Sequence, residues 1–198
     1  MVQSITLKGN HYINKVSFYV DTGASNIWDI LGCSEYDCPY VDYVRVQSDV
    51  DNSDLYWIPS ASYNAIDYIP PNSGIEISLS LPDDLDLNIE GENLPQNPQL
   101  KLFRPNNSNN RTNFIGISNS EPIRIDSNIN LSEIYWIKQM NPDGHTHWIF
   151  PSYDIYEFYN FQPGQAYEIE LIPDEDTSFI NDIIGNDSSV TESGCTDS

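Results

Sequence analysis

The stretch Asp54-Leu55-Tyr56-Trp57-Ile58-Pro59-Ser60 is answered later in the chain by Thr146-His147-Trp148-Ile149-Phe150-Pro151-Ser152. Each is a short aromatic and aliphatic run stopped by Pro-Ser, the pattern of a strand that ends in a turn. The correspondence continues outward from this pair. Residues 63–74, followed by Ile75-Glu76-Ile77-Ser78-Leu79, match residues 156–165, followed by Ala166-Tyr167-Glu168-Ile169-Glu170-Leu171. Leu81-Pro82-Asp83-Asp84 matches Ile172-Pro173-Asp174-Glu175, residues 43–46 match 136–139, and 16–20 match 113–117, at offsets of 91 to 97. Self-similarity at a near-constant period is the mark of a repeated unit. The sequence therefore predicts a tandem duplication: a first unit over 1–94, a Pro/Asn/Gln linker at 95–99, a second unit over 100–180 and a polar tail at 181–198.

Each unit reads as strands. Apolar or alternating runs predict strands near 5–8, 15–20, 41–46, 54–58, 74–81 and 85–90, then near 100–103, 113–118, 133–139, 146–150 and 166–172. A helical turn is expected over 25–31, with Ser25 or Asn26 as its cap and Gly32 as its stop. The expected fold class is mainly β, with two homologous sandwich-like or barrel-like units and short helical turns. Trp57 and Trp148 read as equivalent positions of the repeat and hence as core anchors.

Composition limits the function. Lys and Arg total 8 against 30 Asp and Glu, a formal charge of -22 over 198 residues. A grip on nucleic acid needs a surplus of cations to displace counterions, and docking to an anionic membrane needs a polybasic face. Both partners are excluded as expectations. Charged residues at 19% and hydrophobic ones at 39% describe a globular chain and not a disordered one. The acids fall equally on the two halves, so acidity belongs to the outer face of the repeat. The start, Met1 to Lys8, lacks the apolar run of a signal peptide.

Few motifs carry chemistry. Residues 17–28 contain Asp21-Thr22-Gly23, which resembles the catalytic loop of pepsin-like aspartic peptidases. That chemistry needs a second carboxylate to share the proton. No second Asp-Thr-Gly or Asp-Ser-Gly follows, and the matching strand of the second half ends without an acid, so Asp21 reads as a turn residue and the peptidase as a remote alternative. Asp49, Asp51 and Asp54, together with Asp83, Asp84 and Asp86, group hard oxygens of the kind Ca2+ takes, but without the Gly and Glu of an EF-hand loop. His145 and His147 alone make a poor metal site. Cys33 and Cys38 are close enough to pair as a disulfide in an oxidising medium and otherwise stand as two loop thiols, while Cys195 stands apart. Tyr12, Trp28 and Tyr56 are the aromatic candidates for stacking on a glycan, a binding role carried as the alternative function. No catalytic residue is assigned, and the expectation is a protein that is not an enzyme and holds no cofactor beyond the weak Ca2+ reading.

The repeat itself resembles a known β-module. Val16-Ser17-Phe18-Tyr19-Val20, then Ile27-Trp28-Asp29-Ile30-Leu31-Gly32, the strand at 41–46, the aromatic strand around Trp57 and the closing Ile69-Pro70-Pro71-Asn72-Ser73-Gly74-Ile75-Glu76-Ile77 carry the likeness. It is similar to a tandem β-module of large virion-associated and surface proteins of aquatic phages and bacteria, over residues 5–94 and 100–175. The last residues, 192–198, resemble the start of a Cys- and Asp-rich repeat of such proteins, so the polypeptide is expected to continue. The resemblance implies an architectural or adhesive role on a virion or extracellular surface. The implied partners are other subunits of a capsid, tail or filament, with a glycan as the alternative. The missing signal segment tilts that expectation towards the virion.

Overall fold

Period-two alternation becomes strand throughout the computed structural model, which describes residues 1–21, 26–69, 72–94, 101–104, 112–126, 129–141, 144–173 and 180–181. In chain order the first half holds β1 (Val2–Leu7), β2 (Ile13–Val16), β3 (Val20–Asp21), the one-turn helix α1 (Ile27–Leu31), β4 (Val41–Gln47), β5 (Asp54–Ile58), β6 (Tyr63–Asn64), β7 (Ile75–Leu79), β8 (Leu85–Glu90) and β9 (Glu92–Asn93). The second half holds β10 (Lys101–Leu102), β11 (Thr112–Gly116), β12 (Ile123–Arg124), β13 (Ile134–Met140), β14 (Thr146–Phe150), β15 (Ile155–Tyr156), β16 (Asn160–Phe161), β17 (Ala166–Leu171) and β18 (Ile180–Asn181). The protein is mainly β, and every strand pair among the described residues is antiparallel.

Two five-stranded sheets dominate, in the orders β2-β7-β4-β5-β6 and β11-β17-β13-β14-β15. The ribbons β1-β8, β3-β9, β10-β18 and β12-β16 accompany them. The barrel-like expectation is corrected, because neither sheet joins its own outer strands. The reason is local: Pro59 and Pro151 each start a single 3-10 turn, which ends at a left-handed residue, Ser62 (φ 50) or Asp154 (φ 56). The chain then returns as only two residues of β6 or β15, too short for a ladder to curl closed. The predicted long strand at 15–20 is likewise two pieces, β2 and β3. The expected linker at 95–99 and the tail beyond Asn181 lie outside the described residues.

Each sheet turns one face to a core. Val44, Val46, Trp57, Ile75, Ile77 and Leu79 pack in one cluster with Leu7, Leu87 and Ile89 of the β1-β8 ribbon and with Ile27 and Leu31 of α1. Ile134, Ile137, Ile149, Ile169 and Leu171 form the other with Leu102, Ile123, Ile125 and Phe161. A buried amide straps the neighbouring segment to each sheet. Asn14 Oδ1 accepts from Lys8 N at 2.6 Å while its Nδ2 donates to Lys8 O at 2.9 Å and Ile77 O at 3.2 Å. Asn113 does the same with Phe103 N (2.6 Å), Phe103 O (2.9 Å) and Ile169 O (3.3 Å). These side chains satisfy backbone groups that would otherwise be buried without a partner.

Helix α1 stops at Gly32, whose φ of 75 no β-branched residue would accept without strain. Asn26 sits at the cap position but makes no side-chain cap bond. The chain continues into a hairpin closed by the Cys33–Cys38 disulfide, with Cα atoms 5.3 Å apart. Its tip reaches across the first sheet: Glu35 O accepts from Trp57 Nε1 at 2.7 Å, and Glu35 Oε1 accepts from Asn64 Nδ2 at 3.0 Å. Loop-closure entropy for so short a ring gives about 2 kcal/mol. Replacing both cysteines by serine is therefore expected to lower unfolding free energy by about that amount in urea titration. An unchanged midpoint would mean that Glu35 holds the hairpin without the bond.

Candidate functional site

The two sheets meet at their outer strands β2 and β11, and the meeting is reciprocal. Ser17 N donates to Gly164 O at 2.9 Å, and Gly116 N donates to Asn72 O at 2.7 Å. Val16 bridges Gln165, and Ile115 bridges Ser73. In both cases the end of an outer strand bonds the turn that precedes the neighbouring long strand of the other sheet. Each sheet thus offers an outer-strand end to a turn of the other. The approach is close enough to demand a glycine, since a Cβ on Gly116 would lie 2.3 Å from Ser17 Cβ and 2.3 Å from Ser73 O. Ser17 Oγ donates to Gln165 O at 2.8 Å. Gln47 closes the seam from the side, accepting from Phe114 N at 2.5 Å and donating to Thr112 O at 2.9 Å.

Strand register places a row of charge beside this seam. Lys15, Glu76, Arg45 and Tyr56 lie opposite one another across the first sheet, and Phe114, Glu168, Lys138 and Trp148 do so across the second. Lys15 Nζ donates to Glu168 across the seam and lies 4.0 Å from Glu76. Lys138 donates to Glu168 at 2.7 Å, and Arg45 donates to Glu76 at 3.0 Å and to Asp54 at 3.1 Å. The Phe114 ring lies under Arg45 at 4.9 Å and Lys15 at 5.6 Å. Burial would raise the Glu168 carboxyl, but hydrogen bonds and attraction from Lys138 and Lys15 outweigh it and hold it below its ordinary value of 4.5. For Arg45 the pull of Glu76 and Asp54 exceeds the opposing effect of burial and raises its value. Tyr43 is pushed up, first by burial and then by its hydrogen bond to Glu76. Every cation whose side chain is described is paired with a carboxylate: these three, with Lys8 to Asp84, Arg104 to Glu133 and Arg124 to Asp126.

The acids singled out in the sequence are dispersed. Asp49 accepts from Tyr68 OH at 2.6 Å, Asp51 from Ser53 Oγ at 2.7 Å, and Asp54 belongs to Arg45. The Ser53 contacts hold the Asp51 carboxyl below the usual range. Asp84 accepts from Lys8 Nζ at 2.6 Å and Gly9 N at 3.1 Å, and Asp86 accepts from Thr6 Oγ1 at 2.6 Å. Asp83 is exposed. Among the described residues no three His, Cys, Asp or Glu side chains gather as a metal site would require. Asp21 ends β3, paired with Glu92, while Thr22 and Gly23 lie outside the described residues, as does Cys195. His147 stands on β14 opposite Gln139.

The aromatic candidates are also separate. Tyr12 OH donates to Asn141 O at 3.3 Å and lines a cleft of about 370 Å³ between the sheets, with Lys8, Met140 and Pro163. Trp28 packs on Trp57 at 5.7 Å, and Tyr56 on Tyr43 at 6.3 Å. The equivalence of Trp57 and Trp148 is corrected by register. Trp57 pairs with Val44 and is fully buried, and the residue in that place on β14 is Ile149, paired with Ile137 and also fully buried. Trp148 faces the other way, beside Lys138. There it continues an aromatic row not anticipated from sequence: Trp136 to Trp148 at 5.4 Å, Trp148 to Phe150 at 5.5 Å and Phe150 to Tyr153 at 6.4 Å. Its signal was the period-two spacing of Trp148 and Phe150.

A second cleft, of about 340 Å³, opens beside β15. Leu131, Tyr156, Phe158 and Tyr159 line it together with Asp126 and Asp154. The Tyr156 and Tyr159 rings are nearly parallel, 10° apart with centroids at 6.3 Å. No helix among the described residues is long and apolar enough to cross a membrane. No protein-family model, curated protein or solved structure matches the chain.

Proposed function

We propose that the chain is a structural module of an extracellular assembly, a virion decoration, fibre or tail component or a surface fibril subunit, built from two homologous β-units. The observation that carries this reading is the reciprocal seam. Two sheets of like connectivity are fixed to each other by paired backbone bonds, a glycine contact and a largely buried ion cluster, as the subunits of a symmetric dimer would be. Three further likenesses support duplication: the Asn14 and Asn113 straps, the Pro-led turns after β5 and β14, and register shifts between Val41/Tyr43 and Ile134/Trp136 in the matching strands. A module of this kind transmits force and position through a stiff body, and the seam supplies the stiffness. The disulfide suits an oxidising medium. The pairing of the described cations leaves an outer surface of carboxylates, which suits solubility and discourages edge-to-edge association outside the assembly. The module is not an enzyme in this reading, and Asp21 serves its strand end.

Cross-linking mass spectrometry of the particle or filament that carries the chain, with sedimentation of the full chain at rising concentration, tests the proposal. Cross-links to neighbouring subunits and concentration-dependent larger species are expected. A monomer at every concentration, with no cross-link to a neighbour, would overturn it.

A further inference from the structure

We infer that the cleft beside β15 is a binding site for a neutral pyranose sugar, a role that goes beyond the architectural reading and does not depend on it. The starting observation is a difference between two stations of the same kind. In the first sheet the pair that joins the fourth strand to the short outer strand is Trp57 with Asn64, and it is closed over by the disulfide hairpin. Glu35 bonds both residues, and Trp28 packs on the Trp57 indole. In the second sheet the corresponding pair is Ile149 with Tyr156. A smaller side chain stands where the indole stood, and the cleft of about 340 Å³ lies on the Tyr156 side. That is near the lower end of small-ligand sites, roughly 300 to 1,000 Å³.

The chemistry of the lining favours a sugar. Tyr156 and Tyr159 present parallel ring faces, and Tyr159 is 65% exposed although it is a large aromatic residue. Phe158 and Leu131 make the apolar floor, held against Tyr167 and the second core. An aromatic face attracts the electropositive C–H groups on one side of a pyranose ring, while hydroxyls around the ring's edge need acceptors. Asp126 and Asp154 stand at the cleft to accept them. Asp126 is already paired with Arg124, so the local charge is modest. A uronic or sialic acid would meet carboxylates and is disfavoured, as is any phosphorylated glycan. A purely aliphatic side chain would make no use of Asp154 at the cleft.

Binding of the full chain to an array of neutral gluco-, galacto-, manno- and N-acetylglucosamine oligosaccharides, followed by calorimetry with the best of them, tests the inference. Binding is expected, with a loss of at least about tenfold in Tyr159→Ala, whose exposed ring leaves folding unchanged. Asp154→Asn keeps the left-handed backbone and is expected to weaken binding by a smaller factor. Retention of no neutral saccharide by the unaltered protein would overturn the site. So would saccharide binding that survives Tyr159→Ala but is lost in Tyr12→Ala, and so would capture of a basic peptide in place of any sugar.

Discussion

Trp57→Ala is expected to cost about 4 kcal/mol of folding free energy, within the usual range for emptying a buried tryptophan site. The residue is fully buried between Val44 and Asn64 on neighbouring strands and against Trp28. Its truncation removes apolar contacts that the rigid sheet cannot close up, and it also leaves the Glu35 carbonyl without the indole donor. The hairpin that covers the first sheet would lose its main point of attachment. Trp148→Ala, by contrast, removes a ring from a half-exposed row and is expected to cost about 1 kcal/mol. Urea unfolding of the two variants side by side measures the difference. Equal costs would refute the register assignment, because the repeat as read from residue identity alone makes the two tryptophans equivalent.

That contrast shows where sequence reading succeeds and where it stops. Strand positions were legible because alternation is a local property: 54–58 and 146–150 coincide with β5 and β14, and 85–90 with β8. The short strands β6, β12, β15 and β16 were not, since two residues carry no period. Asn14 and Asn113 looked like ordinary polar residues in an Asn-rich chain, and only the fold reveals that they serve buried backbone. The acids were misleading for the opposite reason. Asp49, Asp51 and Asp54 are neighbours in sequence, yet each is claimed by a different partner. Conversely, the ion cluster unites Lys15 with Glu168, 153 residues apart, and no local pattern announces such a pair. The second cleft was equally hidden, because it gathers Asp126 and Leu131 with residues 154–159, and no single motif spans them.

Glu168→Gln is expected to destabilise the fold by about 3 kcal/mol at neutral pH, the lower end of the cost of breaking a largely buried pair. The carboxylate is 14% exposed and is the common partner of Lys15, from the first sheet, and Lys138, from the second. Without its charge two ammonium groups remain close together, with Glu76 at 4.0 Å as the nearest compensation for Lys15. The sign with pH follows from the lowered carboxyl. Because Glu168 is held below 4.5 in the folded chain, its contribution is fully present above that value and is lost as pH falls through the folded value. Unfolding free energy of the unaltered protein should therefore drop in that acid range, and the drop should be smaller in Glu168→Gln. Converting the whole set, Lys15→Met with Lys138→Met and Glu168→Met, should recover most of the neutral-pH loss, since no charge is then left stranded. A Gln variant as stable as the parent, with an unchanged acid limb, would mean that the seam is held by its backbone bonds and Gly116 alone. The cluster would then be a consequence of the two sheets meeting and not one of the forces that hold them together.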